Sequence, residues 1–424
     1  MSDAAATFGG EGRTTITDAQ ELLSVDAQRA HVLEHLPEPD PIELKLADSL
    51  GLVLAEDVVS DEPIPAFANS AMDGYAVVRE DHLDATGETP TRAAVLGTVP
   101  AGASEPTPIG SGEAVRIMTG APLPPGADAI VPVEVTREQG GTVEVFRAPR
   151  AGEFVRTVGQ DVQAGQGLLA AGHRIRPADI GLLAAVGAGR VHCYPTPRVV
   201  IFSTGDELVP AAQRPGPGQL RDANGPMLAA MVRQAGAIPY SAGIVGDDRK
   251  ALMHAFDSNI GHADMFLTSG GVSAGMFDLV RDVVGTLGTV WAHKVAMKPG
   301  MPQVFGMLGD VPVFGLPGNP VSSFVSFEVF VRPAIRTIQG RRDTLRPAVR
   351  ARVTEAIDAP ADKRTFVRVR LRREGATWTA TPTGDQGSHV LTSVVRADGL
   401  AEVPEDTTRV SEGDKLTVHL LVDS

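Results

Sequence analysis

The pattern of apolar and polar positions changes character several times along the chain, and each change predicts a different kind of element. Over residues 15–36 apolar positions recur at helical spacing, with Val25, Val32, Leu33 and Leu36 in phase and Ser24 able to cap. That predicts a structural amphipathic helix. Residues 45–149 are rich in Gly and Pro and carry short alternating runs at 129–135 and 142–146, which predict an all-β, barrel-like insertion. The runs flanking 138–141 predict a hairpin. From Arg198 an apolar run, a turn and a helix repeat: 199–202 leads to 203–207, 265–268 to 269–273, and 311–315 to 316–320. Such buried runs joined through helices predict a parallel sheet with right-handed crossovers, whose carboxyl edge gathers all three polar loops. After Pro347 alternation returns at 366–372 and 415–422 and predicts a small β-domain.

Composition narrows this picture. With 424 residues the chain exceeds a single core, so a multidomain protein is expected. No apolar run is long enough to cross a bilayer. Residues 1–13 lack a basic n-region and an apolar h-region, which predicts a frayed tail rather than a signal peptide, and a cytoplasmic protein. The only cysteine, Cys193, excludes an internal disulfide and a thiolate metal cage, so any metal falls to oxygen or imidazole. The ten histidines show no ligand spacing, and His31 and His35 fall on the structural helix. The charge, 38 basic against 52 acidic residues or −14, argues against a nucleic-acid binder. It leaves room for small anions, because charges beyond roughly 8 Å are largely screened at physiological salt and a local cluster decides binding.

The candidate chemistry lies on the loops. In 316–322, Pro320 starts a helix whose free N–H groups and positive dipole end suit an oxyanion; a tight strand-to-helix connection explains the same residues equally well. Residues 269–273 can cradle a phosphate with backbone amides, although a lone double glycine is more often a turn. Asp206, Glu207, Asp247, Asp248 and Asp278 are acidic residues expected at the same edge, where hard oxygens suit Mg²⁺. Helix capping accounts for Asp247 and Asp248 more simply. Lys294 and Lys298, four apart, share a face if the segment is extended, and would clamp an anion. Arg364, Arg368, Arg370 and Arg372 share one strand face opposite Val367, Val369 and Leu371; most of that row is expected to face solvent, with one arginine functional. Alone, Asp73 and Gly74 predict a hairpin turn, and Thr119 a β-turn before prolines.

Taken together the motifs are recognisable. In order they are 70–76 (SAMDGYA), 118–122 (MTGAP), 203–208 (STGDEL), 269–273 (SGGVS), 297–300 (MKPG), 315–322 (GLPGNPVS) and 387–389 (GSH). The chain resembles the molybdopterin molybdenumtransferases, the bacterial MoeA proteins related to the E domain of gephyrin, from about residue 20 to its end. With a disordered tail expected at 1–14 from its composition, the resemblance implies a helical linker domain I at 15–44 and 150–193, and a β insertion domain II at 45–149. A Rossmann-like molybdopterin-binding α/β domain III at 194–341 and a C-terminal β-barrel domain IV at 342–424 complete it.

The implied reaction joins adenylylated molybdopterin and molybdate, with Mg²⁺, to give molybdenum cofactor and AMP. The catalytic residues it implies are Asp73, Thr119, Glu207, Asp278, Lys294 and Lys298. Those implied to bind the pterin substrate and molybdate are Ser269, Gly270, Gly271, Ser273, Pro317, Gly318, Asn319, Ser322, Arg368 and Ser388, with Lys298, Ser322, Arg368 and Ser388 lining the molybdate pocket. Asp206, Glu207, Asp247, Asp248 and Asp278 are the implied metal ligands. Met276 and Met301 stand where relatives often carry an acidic and a basic residue. A homodimer with a cleft shared between subunits is implied, as is contact with a molybdopterin adenylyltransferase. Alternatives are an adenylyltransferase, which would consume ATP, and a scaffold or molybdate-binding module, which would release no AMP.

Overall fold

In residues 43–192, alternate side chains of the same strands go to opposite layers: Ala76 and Ile130 join one apolar cluster, while Val77 and Val131 join the other. Period-two alternation with both faces covered therefore builds a six-stranded sheet, in the order Ala129–Pro132, Gly74–Val77, Glu113–Ile117, Thr91–Val99, Thr142–Val145, Thr136–Gln139. Among the described residues no pairing joins its outer strands, so the barrel-like insertion is an open sheet. The computed structural model describes residues 22–270 and 274–421, with the backbone alone at 274–278 and 292–293. It divides into two units, Glu43–His192, and Met1–Ile42 with Cys193–Ser424.

The hairpin turns at Gly140 and Gly141, both at positive φ (57° and 76°), as a two-residue turn requires. Its first strand is Thr136–Gln139. The run at 129–135 ends in a 3-10 turn and pairs instead with Gly74–Val77. Asp73 and Gly74 form no hairpin turn either. Asn69–Ser70 pairs with Val155–Arg156, and Gly74 is required by close approach, since a Cβ there would lie 2.1 Å from Val131 O. Within 150–192 the described helix is Pro177–Ala185. Its start is held by buried Asp179, which accepts Arg176 N at 2.8 Å and pairs with His173 and the Arg176 guanidinium.

In the other unit, helix α1 (Val25–Glu34) is shorter than expected; Ser24 caps it, accepting Ala27 N at 3.1 Å. Residues 15–21 lie outside the described residues. Val25 and Val32 are fully buried in the same apolar cluster as Phe305 and Ile335. The central sheet is built from β1 (Arg198–Thr204), β2 (Ile238–Val245), β3 (Met265–Gly270), β4 (Thr289–Lys294), β6 (Pro302–Leu308) and β7 (Val311–Pro317), in the order β2-β1-β3-β7-β6-β4. β5 (Met297–Lys298) lies between β4 and β6 in the chain but belongs to another sheet. Helices α2 (Asn224–Gln234), α3 (Arg249–Asp257) and α4 (Ala274–Leu287) supply the crossovers. Val199 and Ile201 enter one core and Val200 and Phe202 the other, which is why these strands read as continuous apolar runs.

The sheet is mixed rather than parallel. β2, β1, β3 and β7 are parallel, but β6 runs antiparallel to both β7 and β4. The two-residue turn between Leu308 and Val311 dictates this, because so short a link can only join antiparallel neighbours. After β7 comes α5 (Pro320–Ser326), which passes through a π-turn at Phe327–Val331 into α6 (Arg332–Ile338). The π-turn carries buried Glu328, held in bidentate fashion by Arg346 at 2.9 and 3.0 Å.

The C-terminal strands are β8 (Ala348–Val353), β9 (Arg364–Glu374), β10 (Thr377–Pro382), β11 (Gly399–Val403) and β12 (Lys415–Leu420). They pair in the order β9-β10-β8-β12-β11 and close by β11 pairing back to β9, a five-stranded barrel filled by Val367, Val369, Ala401, Val403 and Val418. β5 adds to the outside of β9. The arginine row of β9 is not mainly a solvent face. Arg370 and Arg372 are exposed, but Arg364 is tied to Asp26, Glu402 and Glu405, and Arg368 is buried.

Candidate active site

Parallel pairing aligns the strand ends. Thr204 pairs with Gly270 and Gly270 with Pro317, so the loops after β1, β3 and β7 leave one edge of the sheet side by side. Gly270 is required there, because a Cβ would fall 1.5 Å from Thr204 Oγ1. Ser269 and Gly318 are both held by one buried side chain, Asn224, whose Nδ2 donates to Ser269 Oγ and to Gly318 O at 2.7 Å each. Ser203 Oγ donates to Asp222 (2.9 Å), which also accepts Gly225 N (2.9 Å) and so fixes the start of α2 beside β1. Reading the sequence missed Asp222 and Asn224. The available signal was an Asp two residues before a helix start, a capping pattern. Gly271 and Ser273 lie outside the described residues, as does the Asp278 side chain.

The acidic residues divide by role. Asp248 is a helix cap, accepting Lys250 N at 3.0 Å and Ala251 N at 2.9 Å. Asp247 is not. Its N–H donates to Asp206 Oδ1 at 3.0 Å, and partial desolvation, together with the nearby Asp206 and Glu207 charges, holds its carboxyl above the usual range. Excess negative charge is therefore concentrated where the loops after β1 and β2 meet. Glu207 folds back over Gly205, where a Cβ would lie 2.6 Å from Glu207 Oε2. Among the described residues no three His, Cys, Asp or Glu side chains converge on one metal position. Two carboxylates can suffice for Mg²⁺, since that ion usually keeps waters and takes its remaining ligands from substrate phosphates.

The two lysines do not share one strand face. Lys294 ends β4 in the central sheet, the chain bends through buried 295–297, and Lys298 lies on β5 beside Thr365 of the barrel. Both are exposed, and neither forms an ion pair among the described residues. The turn after Lys298 is pinned to α5 by buried Gln303, whose Nε2 donates to Gly300 O and Ser326 Oγ at 2.6 Å each. Gln303 was also invisible to sequence reading; nothing in its local pattern marks it.

Around the first turn of α5 the structure gathers three of the four residues expected to line an oxyanion pocket. Ser322 is buried in that turn. The 387–389 loop docks on it, with Ser388 Oγ accepting Asn319 Nδ2 at 3.2 Å and Ser388 O accepting Val321 N at 3.1 Å. Arg368, 1% exposed, donates to Gly387 O (3.2 Å), Ser393 Oγ (3.1 Å) and Phe366 O (3.4 Å). None of these acceptors is a carboxylate. Burial pushes the guanidinium down to about 10, with distant Asp385 opposing weakly. An uncompensated buried cation beside hydroxyls and helix-end amides is the arrangement an oxyanion would neutralise.

In the other unit, Asp73 is exposed, and its Oδ1 accepts Thr119 N (2.7 Å) and Thr119 Oγ1 (2.8 Å). These two bonds, with the Arg116 charge adding, hold Asp73 below the usual carboxylate range, so it is ionised at neutral pH. Its second oxygen has no hydrogen-bond partner among the described residues. A cavity of about 420 Å³ lies elsewhere, on the barrel beside Arg350, Arg409 and Lys415. No helix of the described residues is long and apolar enough to cross a membrane.

Three family models match successive stretches: the MoeA N-terminal region (domain I and II) over 23–187, a probable molybdopterin binding domain over 200–337, and the MoeA C-terminal region (domain IV) over 350–421. Molybdopterin molybdenumtransferase 2 of Mycobacterium tuberculosis is 40% identical over 94% of this chain and 99% of its own length. Molybdopterin molybdenumtransferase of Haemophilus influenzae is 34% identical over 94% of this chain and all of its own. The crystal structure of a molybdopterin biosynthesis MoeA protein from Pyrococcus horikoshii superposes with a TM-score of 0.83 at 31% identity, covering 95% of this chain and 100% of that one.

Proposed function

This chain belongs to the MoeA family of molybdopterin molybdenumtransferases, and on that premise we propose that it inserts molybdate into adenylylated molybdopterin, releasing AMP and molybdenum cofactor. The observation that carries the reading is the buried, carboxylate-free Arg368 beside Ser388 and Ser322, because a dianionic oxyanion needs a cation, hydroxyls and helix-end amides together. Lys298, exposed on the neighbouring strand, adds a second cation.

The 269–270 and 317–319 loops hold the pterin nucleotide, with Lys294 neutralising charge on its phosphates. Asp206 and Glu207 would hold Mg²⁺, with Asp278 as a further ligand, Asp247 adding its charge nearby and the remaining ligands coming from substrate phosphates and water; bound there, the ion would supply Lewis-acid polarisation of the phosphoanhydride. Asp73, oriented by Thr119, offers one ionised oxygen as base or hydrogen-bond acceptor. The dithiolene sulfurs belong to the substrate, and this chain contributes no thiolate to the metal.

The same proposal includes a cytoplasmic homodimer in which Asp73 of one chain serves the site carrying Lys298 of the other. Such an enzyme would receive its substrate from a molybdopterin adenylyltransferase. The direct test supplies purified protein with adenylylated molybdopterin and follows AMP. Release that depends on added molybdate and Mg²⁺ is expected, whereas release indifferent to molybdate refutes the assignment.

A further inference from the structure

Asn224 opens α2 at the carboxyl edge of the sheet, 9% exposed, and its single amide nitrogen serves two loops at once. One acceptor, Ser269 Oγ, is on β3; the other, Gly318 O, follows β7 directly. The β3–β7 ladder ends at Gly270 and Pro317. From Gly318 the connection continues through Asn319 to Ser388. A chain of polar contacts thus runs from the 269–270 loop to the oxyanion pocket, with Asn224 as its only side-chain link between β3 and β7 among the described contacts. Asp222 anchors Asn224 from behind by bonding Ser203 and Gly225 N.

The Oδ1 of Asn224 is buried and has no hydrogen-bond partner among the described residues. Leaving a buried acceptor unsatisfied is unfavourable, so the site is poorly built as packing alone. Its two donor contacts are what it accomplishes.

We propose that Asn224 is a positioning residue that locks the 269–270 loop and the 317–319 loop into one register, so that the pterin nucleotide they hold stays at the separation from the oxyanion pocket that metal insertion needs. This rests on the reading that the two loops hold the pterin nucleotide and that Ser388 lines the molybdate pocket. The binding groups themselves are untouched by loss of Asn224, while their spacing is not. Misplacement on the order of 1 Å costs about 100-fold in rate.

The test uses full-length Asn224→Asp, which keeps shape and loses both donors, and Asn224→Ser, which is small enough to fold should the carboxylate not be tolerated. In molybdate-dependent AMP release well below the unfolding temperature, kcat is expected to fall roughly 10- to 100-fold while the KM for each substrate changes less than about threefold. A folded variant with wild-type kcat overturns the proposal. Hydrogen exchange gives a readout independent of turnover: peptides 265–270 and 311–321 are both expected to lose protection, and loss confined to α2 overturns the lock. If wild-type protein releases no AMP, the functional reading fails, and exchange still decides whether Asn224 couples the loops.

Discussion

Replacing Arg368 with methionine should leave the protein about as stable as before while crippling its use of molybdate. The guanidinium makes three hydrogen bonds, to Gly387 O, Ser393 Oγ and Phe366 O, at 3.1 to 3.4 Å. These contacts are longer than strong charge-assisted bonds, so at about 1 kcal/mol each their loss would cost roughly 3 kcal/mol. Against this stands the expense of keeping a charge buried without a carboxylate. A guanidinium pushed down to about 10 carries a charging penalty on the order of 3 kcal/mol. The two nearly cancel, so stability should shift by only about 1 kcal/mol, or a few degrees in thermal midpoint. Molybdate binding has no such compensation. Losing a charged hydrogen bond worth about 1.5 to 3 kcal/mol raises the half-saturating molybdate concentration roughly 10- to 150-fold. The assay pairs thermal unfolding with the molybdate dependence of AMP release. A midpoint that collapses while molybdate dependence is unchanged would refute the reasoning and make Arg368 a structural residue.

Asp247→Asn should stabilise the metal-free protein at pH 7. An acid whose folded pKa is raised contributes stability below its unfolded pKa that is lost as pH rises through the folded value, so at neutral pH its charge is a burden; a midpoint in EDTA no higher than wild type argues against this, and a weaker response to Mg²⁺ is expected of the same variant. Glu328→Ala takes away the carboxylate that buried Arg346 and Arg332 share and should cost about 3 to 5 kcal/mol in denaturant unfolding, part of it recovered by Glu328→Met with Arg346→Leu. An unrecovered double variant would assign the loss to the pairing of Glu328 with Arg332. Asp73→Ala and Lys298→Ala, each inactive, should regain about a quarter of wild-type activity after subunit exchange if clefts are shared, because about half of the dimers are mixed and each rebuilds one site; proven exchange without recovery sinks the shared cleft.

What the sequence made legible follows from how local each signal is. The three strand-to-loop transitions after β1, β3 and β7 could be read because buried parallel strands give continuous apolar runs ended by Gly-containing turns. The mixed sheet could not be read, since β6 and β7 are as apolar as their parallel neighbours and only the two residues between them set the direction. Asp73 and Gly74 misled for a related reason. A glycine demanded by close approach of Val131 O looks, in one dimension, like a glycine demanded by a turn.

The site was legible as residue types but not as a wired arrangement. Arg368 and Arg370 are two apart on one strand and indistinguishable by pattern, yet one is buried against Ser393 and Gly387 and the other faces solvent, because only the inner one meets the 387–389 loop returning from β10. Asn224 and Gln303 are further out of reach. Each is a neutral amide whose importance comes from bonding two separate segments, 45 and 94 residues away for Asn224 and 3 and 23 residues away for Gln303. A charged or glycine-rich motif announces the chemistry of a ligand, whereas an amide that holds two loops at a fixed separation announces nothing until the loops are seen together. Candidate ligand contacts can therefore be read from motifs, while the residues that fix their geometry have to be sought among buried amides with partners on separate elements.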